Sequence, residues 1–196
     1  MTSTHALTPA DIMPYAEYAK VRVETRRKIS ERKKNRRLEV GPNCAFYFEC
    51  RDTMWLQVQE MLHIEKGGAE QLKDELEAYN PLIPTGSELV ATFMIEIDDP
   101  VRRKHVLSRL GGVEEKVFLQ IGERVVRAIP EADQDRTTAD GKASSVQFVH
   151  FRFSPDDIKA FKAPGARVVV GLDHENYAHM AIMPEATRAE LAGDFD

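Results

Sequence analysis

Glu60 and His63 stand three residues apart in the run Glu60-Met61-Leu62-His63, a spacing that puts a carboxylate and an imidazole on one face of a helix. Two such pairs plus two further glutamates make the di-iron centres of helical bundles. This chain has a single Glu-x-x-His, and its strand-like segments are too many for a four-helix bundle. The motif leaves open a mononuclear divalent-metal site completed by Glu49, Glu96 or His105, against the plainer reading of ordinary helix-surface residues. Asp173, His174 and His179 form a second candidate, in which a hairpin would bring the two imidazoles together as metal ligands. Glu49 and Glu96 form a third: two strand carboxylates that could do acid–base chemistry if their strands are neighbours. His150, between Phe148 and Arg152 on a strand face, reads as a half-exposed packing histidine.

The two cysteines, Cys44 and Cys50, lie on one face of an alternating stretch. Six strand residues separate them by about 20 Å, and a disulfide needs Cα atoms within about 7 Å. A redox thiol would need an exposed, electropositive setting. Burial among Phe46 and Phe48 favours two small core hydrophobes instead. The chain contains no C-x-x-C, G-x-G-x-x-G, P-loop or G-x-S-x-G, which counts against nucleotide-handling enzymes and α/β-hydrolases.

The elements that must position these residues are legible from periodicity. The Thr8-Pro9-Ala10-Asp11 entrance predicts a long N-terminal helix over 8–37, apolar at Ile12, Tyr15, Ala19 and Val23 and basic in its second half. Cys44–Cys50 alternates as a strand. Asp52 is expected to cap a helix over 53–66 that ends at Gly67-Gly68, followed by a helix over 70–79. Asn80 to Gly86, with two prolines, should be a rigid connection. The clearest strand is 88–97; Asp99-Pro100 opens a helix to Leu110, and a hairpin spans 117–129 around Gly122-Glu123. Residues 131–145 read as a loop, 146–153 as a strand, Ser154-Pro155 as a helix entrance, and 167–183 as a last hairpin before a short C-terminal helix. Hairpins without βαβ alternation predict a single α+β domain over 1–196, a mainly antiparallel sheet with helices packed on one face.

Charge is unevenly spread. Residues 20–37 carry ten Lys or Arg against two Glu, a local +8, while the whole chain is at −5, so the remainder is at −13. The acidic body is 38–196. Arg26, Arg27, Arg32, Lys33, Lys34, Arg36 and Arg37 are the candidate partner-binding residues, for an anionic protein surface, for phosphates or for the chain's own acidic body. Nucleic acid is the weaker reading, because the basic run has no aromatics and the acidic remainder repels polyanions. No apolar run reaches the roughly 20 residues of a membrane-spanning helix, and the N-terminus lacks a signal-peptide pattern. A cytoplasmic protein with reduced thiols is expected.

Several segments together resemble a bacterial family catalogued as domain of unknown function 3501: Val40–Pro42, Phe48–Met61, Tyr79–Thr92, Ile95–Ile97 and the closing HENYAHMAIMPEATRAEL. The resemblance spans nearly the whole chain. It implies a genomic setting beside rubrerythrin-like proteins and cysteine-rich iron–sulfur oxidoreductases, hence a part in oxidative-stress or iron redox metabolism. It carries no functional residues with it. Gln57-Val58-Gln59-Glu60 and Tyr79-Asn80-Pro81 are polar beyond what core packing demands. Tyr47, Gln57, Gln59, Asn80 and Glu96 are therefore the pocket candidates. The expected function is an accessory protein docking a rubrerythrin-like or iron–sulfur partner, with a homo-oligomer left open. The alternative is a small metal-dependent enzyme using Glu49, Glu60, His63 and His105 with a single divalent metal.

Overall fold

The computed structural model describes residues 5–131, 137–138 and 141–196; residues 1–4, and positions 132–136 and 139–140 of the expected 131–145 loop, lie outside the described residues. In chain order the elements are α1 (Tyr15–Lys34), β1 (Arg37–Glu39), β2 (Cys44–Glu49), α2 (Arg51–Glu65), α3 (Gly68–Tyr79), β3 (Glu88–Ile95), α4 (Pro100–Leu107), β4 (Val117–Ile121), β5 (Arg124–Arg127), β6 (Ile129–Pro130), β7 (Val146–Arg152), α5 (Pro155–Lys162), β8 (Val168–His174), β9 (Tyr177–Ile182) and α6 (Glu185–Leu191). The α+β class and the single domain follow as expected. The strands divide into two antiparallel sheets, ordered β1-β2-β3-β7-β6 and β5-β4-β8-β9.

Alternation explains the layering. Phe46 and Phe48 of β2, Leu89, Ala91 and Phe93 of β3, and Val149 and Phe151 of β7 point one way. They join Val117, Leu119, Val168, Val170 and Leu172 of the smaller sheet in one buried cluster. The opposite face of β3 carries Val90, which packs with Met54 and Val58 of α2, Leu76 of α3, and Leu82. Central strand β3 is therefore buried on both faces. The 124–130 segment passes from one sheet to the other: β5 pairs with β4, and β6 pairs with β7.

Several boundaries differ from expectation, among them the end of α4, at Leu107 rather than Leu110. Thr8-Pro9-Ala10-Asp11 forms a separate 3-10 turn (Pro9–Asp11), and α1 begins only after Pro14. Helix α1 stops at Lys34, so Arg36 and Arg37 leave the helix and Arg37 starts β1. Its run of Ala, Lys, Arg and Glu favours helix strongly, and three basic residues in its last turn suit the negative helix end. Only Tyr18 and Ile29 are buried along it. Helix α2 starts two residues early because Cys50, not Asp52, is its N-cap; the Cys50 N–H donates to the Thr53 hydroxyl at 2.9 Å. Asp52 instead sits in the first turn, where a carboxylate favours the positive helix end.

No described helix is long and apolar enough to cross a membrane. Cys44 and Cys50 are both buried and free, and burial pushes the Cys44 thiol up to about 12.

Candidate functional site

Tyr47, Glu49 and Gln57 converge on one cavity of about 280 Å³. The outer face of the five-stranded sheet supplies Tyr47, Glu49 and Thr92, α2 supplies Gln57, the end of α3 supplies Tyr79, and the last turn of α1 supplies Lys33. Tyr47 and Glu49 are two apart on β2 and so share a face. Thr92 sits opposite Tyr47 in the ladder, one diagonal step from Glu49.

Glu49 is 5% exposed. The Thr53 hydroxyl donates to its Oε2 at 2.6 Å, and the Thr92 hydroxyl donates to its Oε1 at 2.8 Å. Among the described residues no cation pairs with it. Burying a charge without a counter-ion is costly, and here the uncompensated carboxylate borders open space. Met54, Met94 and Phe148 give that space apolar walls. Half-buried Lys33 lines the same cavity and has no ion pair among the described residues. Gln57 Nε2 donates to Tyr79 Oη at 3.2 Å.

Glu96 does not join Glu49. The two stand at opposite ends of paired strands: Glu49 faces Val90, while the Glu96 N–H donates to the Asn43 carbonyl. Glu96 instead accepts from Tyr47 Oη at 2.5 Å and from Arg37 Nη2 at 3.0 Å.

The metal ligands anticipated from the sequence are not brought together. Helices α1 and α2 run antiparallel, and Glu60 is taken up by that contact. It accepts from Tyr18 Oη at 2.6 Å and from Arg22 Nε and Nη2 at 2.8 Å each, with Arg26 at 3.6 Å. The Arg22 bonds hold its carboxyl down at about 2, against the opposing effect of burial. His63 stacks on Tyr15 with ring centroids 4.8 Å apart, Glu49 lies in the cavity with Tyr47 and Gln57, and His105 is exposed on α4. Among the described residues no three His, Cys, Asp or Glu side chains are placed to hold a metal ion. Asp173, His174 and His179 also stay apart as ligands: His174 is buried with Nε2 3.3 Å from the Gly111 carbonyl, and His179 packs on Tyr177.

Half of the ten basic side chains of 20–37 (Arg22, Arg26, Arg32, Arg36 and Arg37) are bound to the acidic body. Arg36 is 1% exposed and donates to the carbonyls of Phe48 (2.9 Å) and Glu49 (3.0 Å), to Glu190 (3.0 Å) and to Asp194. It cannot meet a partner. Arg32 pairs with Glu190 and Asp52, Arg37 with Glu39 and Glu96, Arg27 with Glu24, and Lys34 with Glu31. Asn80 has a structural part: its amide accepts from the Leu7 N–H at 2.7 Å and donates to the Leu7 carbonyl at 3.0 Å.

Gln59 and His63 line a second, more apolar cavity of about 460 Å³ between the start of α1, the end of α2 and the start of α3. Gln59 is 2% exposed, yet its Nε2 has no partner; His63 Nδ1 is likewise buried and unpaired. Lys66 lines the same space from a left-handed backbone, φ +57°. That conformation costs a side-chain-bearing residue about 1–2 kcal/mol. Sequence reasoning passed over Lys66 and the threonines that hold Glu49. The available signal for Lys66 was its place before Gly67-Gly68, where glycine would ordinarily take the left-handed position. His150 was also under-read. Its Nδ1 lies 3.2 Å from Glu88 and its Nε2 2.7 Å from Glu131, a clamp between two carboxylates.

The family model described as Protein of unknown function (DUF3501) matches residues 6–195. The chain belongs to the DUF3501 family. A crystal structure described as that of a novel protein of unknown function from Burkholderia pseudomallei K96243 is 36% identical with a TM-score of 0.90; the match covers 97% of this chain and 100% of that one. No curated protein matches.

Proposed function

We propose that this protein is an accessory binding protein of the bacterial cytoplasm, and that its working site is the Glu49 cavity, which takes a small organic cation. One observation carries the reading: a 5%-exposed carboxylate, held by two threonine hydroxyls and by no cation among the described residues, borders a cavity. An ammonium or guanidinium group entering there would supply the missing charge. Tyr47, Tyr79 and Phe148 in the walls add aromatic surface that favours cations. Dispersal of Glu49, Glu60, His63 and His105 counts against the metal-enzyme reading, and internal pairing of the basic segment counts against nucleic acid.

The redox setting belongs to the same proposal and rests on the family resemblance. A rubrerythrin-like or iron–sulfur partner would meet the outer side of α1, where Val23 is 82% exposed between Lys20 and Arg27 on one helical face.

Calorimetric titration of the purified protein with n-butylamine, butylguanidine and n-butanol tests the site. The two cations are expected to bind wild type and to lose at least about tenfold in affinity against Glu49→Gln, a difference of about 1.4 kcal/mol. Equal binding of butanol, or cation binding that survives Glu49→Gln, would refute it.

A further inference from the structure

The 460 Å³ cavity walled by Tyr15, Tyr18, Leu62 and Leu72 lies apart from the Glu49 cavity and shares no lining residue with it. None of the described side chains that line it is acidic. Its polar side chains include Gln59 and His63, each with one buried nitrogen that has no partner (Nε2 and Nδ1), and Lys66. Buried polar groups in folded proteins are nearly always paired, so two unpaired buried nitrogens on side chains that line one cavity mark a place where a ligand could supply the partner after a small side-chain rotation.

We propose that this cavity is a second binding site, built for a small apolar molecule that ends in a carboxylate. The apolar body would lie against Ile12, Leu62 and Leu72, and the carboxylate would accept from Gln59 and His63 and face Lys66. His63 is held in place for this by its stack on Tyr15, 4.8 Å between centroids, and by the edge of Tyr18 at 5.8 Å. Lys66 sits 5.5 Å over the face of the same Tyr15 ring, so one tyrosine orients both groups. The backbone of Lys66 gives independent support. A lysine occupies a left-handed position although two glycines follow it, which makes sense if the side chain is needed there. A cavity of this size holds a ligand of eight to ten heavy atoms with room to spare.

Octanoate, n-octanol and n-octylamine share chain length and differ in head group, and are the probes. They are titrated into wild type, Lys66→Gly, Gln59→Leu and Glu49→Gln, with binding followed by calorimetry and by the Gln59 side-chain amide signals in nitrogen-15 spectra. Octanoate is expected to bind wild type about tenfold or more tighter than octanol, to move the Gln59 amide signals, and to leave octylamine without measurable binding. Lys66→Gly removes the left-handed strain and should fold at least as well as wild type, while octanoate's preference over octanol falls to about threefold or less. Gln59→Leu should act in the same direction, and Glu49→Gln should change nothing, which separates this site from the one proposed above. Absence of octanoate binding, equal binding of all three probes, or a preference that survives Lys66→Gly would each overturn the proposal.

Discussion

Arg22 grips Glu60 through two parallel hydrogen bonds of 2.8 Å, Nε to Oε1 and Nη2 to Oε2, across the antiparallel α1–α2 pair. This fork turns a motif that reads as half a metal site into a fastening between helices. Removing the charge should loosen it: Glu60→Gln is expected to cost about 1–2 kcal/mol in urea unfolding at pH 6, a figure kept low because Arg22 is partly exposed. Folding lowers the Glu60 pKa from 4.5 to about 2. Its stabilisation is therefore complete above pH 4.5 and fades as pH falls toward 2. Wild type and variant should converge by pH 2; a penalty that persists there would show that the loss is steric.

Arg36 and Lys34 lie two residues apart with very different surroundings. Arg36→Met leaves Asp194 and Glu190 without their buried partner and should lose about 3–5 kcal/mol. Lys34→Ala removes a solvent-screened i,i+3 pair and should change stability by less than about 0.5 kcal/mol. Chemical denaturation of the two variants side by side checks the contrast. Similar losses would mean that Arg36 is not the anchor described.

The expectation that polar residues of 47–63 share a pocket was readable in part. Alternation along 44–50 puts Tyr47 and Glu49 on one face whatever their partners. What could not be read was register. The Glu49–Glu96 idea fails because antiparallel pairing sends the two to opposite ends of the ladder, and period-two alternation is blind to that offset. Helix α2 was legible from its apolar face, yet the division of its polar face between two cavities depends on where α1 docks. That docking runs through Tyr18, Arg22 and Arg32, long side chains whose partners lie about 20 to 160 residues away. The second sheet escaped notice for the same reason: hairpins 117–127 and 168–182 look alike whether they extend the first sheet or face it. Fold class survives such ambiguity because it needs only the kinds of element and their connections.

Thr92 offers a cleaner probe of the Glu49 carboxylate than Glu49 itself. Thr92→Val keeps shape but strips the hydroxyl from Oε1, leaving a buried acceptor unsatisfied at a cost of about 1–3 kcal/mol. Adding butylamine at saturating concentration should recover part of that loss in thermal unfolding, since the ligand neutralises the same carboxylate. Equal stabilisation of wild type and variant would argue that the cation binds elsewhere.

His150 should give stability a pH signature. The hydrogen bond to Glu88 lifts its pKa above the ordinary 6.5, with Glu131 adding to the effect against burial. That contribution is present in full below pH 6.5 and is lost as pH rises through the raised value. Glu88 moves the other way: burial opposes the shift, but bonds to His150 and Thr85 hold its pKa below 4.5. Its share is present above pH 4.5 and lost as pH falls through the lowered value. The clamp is thus strongest between about pH 4.5 and 6.5, and the difference between wild type and His150→Gln should peak there and shrink by pH 9. A flat difference across that range would exclude the charged clamp.

Cys44 and Cys50 are 3% and 5% exposed, so neither should react with a thiol reagent such as DTNB at pH 8 in the native state. Both should react at once in guanidinium chloride. Rapid native labelling of either would reopen the redox-thiol reading set aside for this strand.

Helix α1 buries only two side chains and is held to the body largely by polar contacts. It is also a shared wall, lending Tyr15 and Tyr18 to one cavity and Lys33 to the other. A ligand that binds only while α1 is seated must shift the helix toward the seated state, and so raise affinity at the other cavity by the same factor that the other ligand returns. Two sites with no residue in common would then report on each other through the seating of one helix.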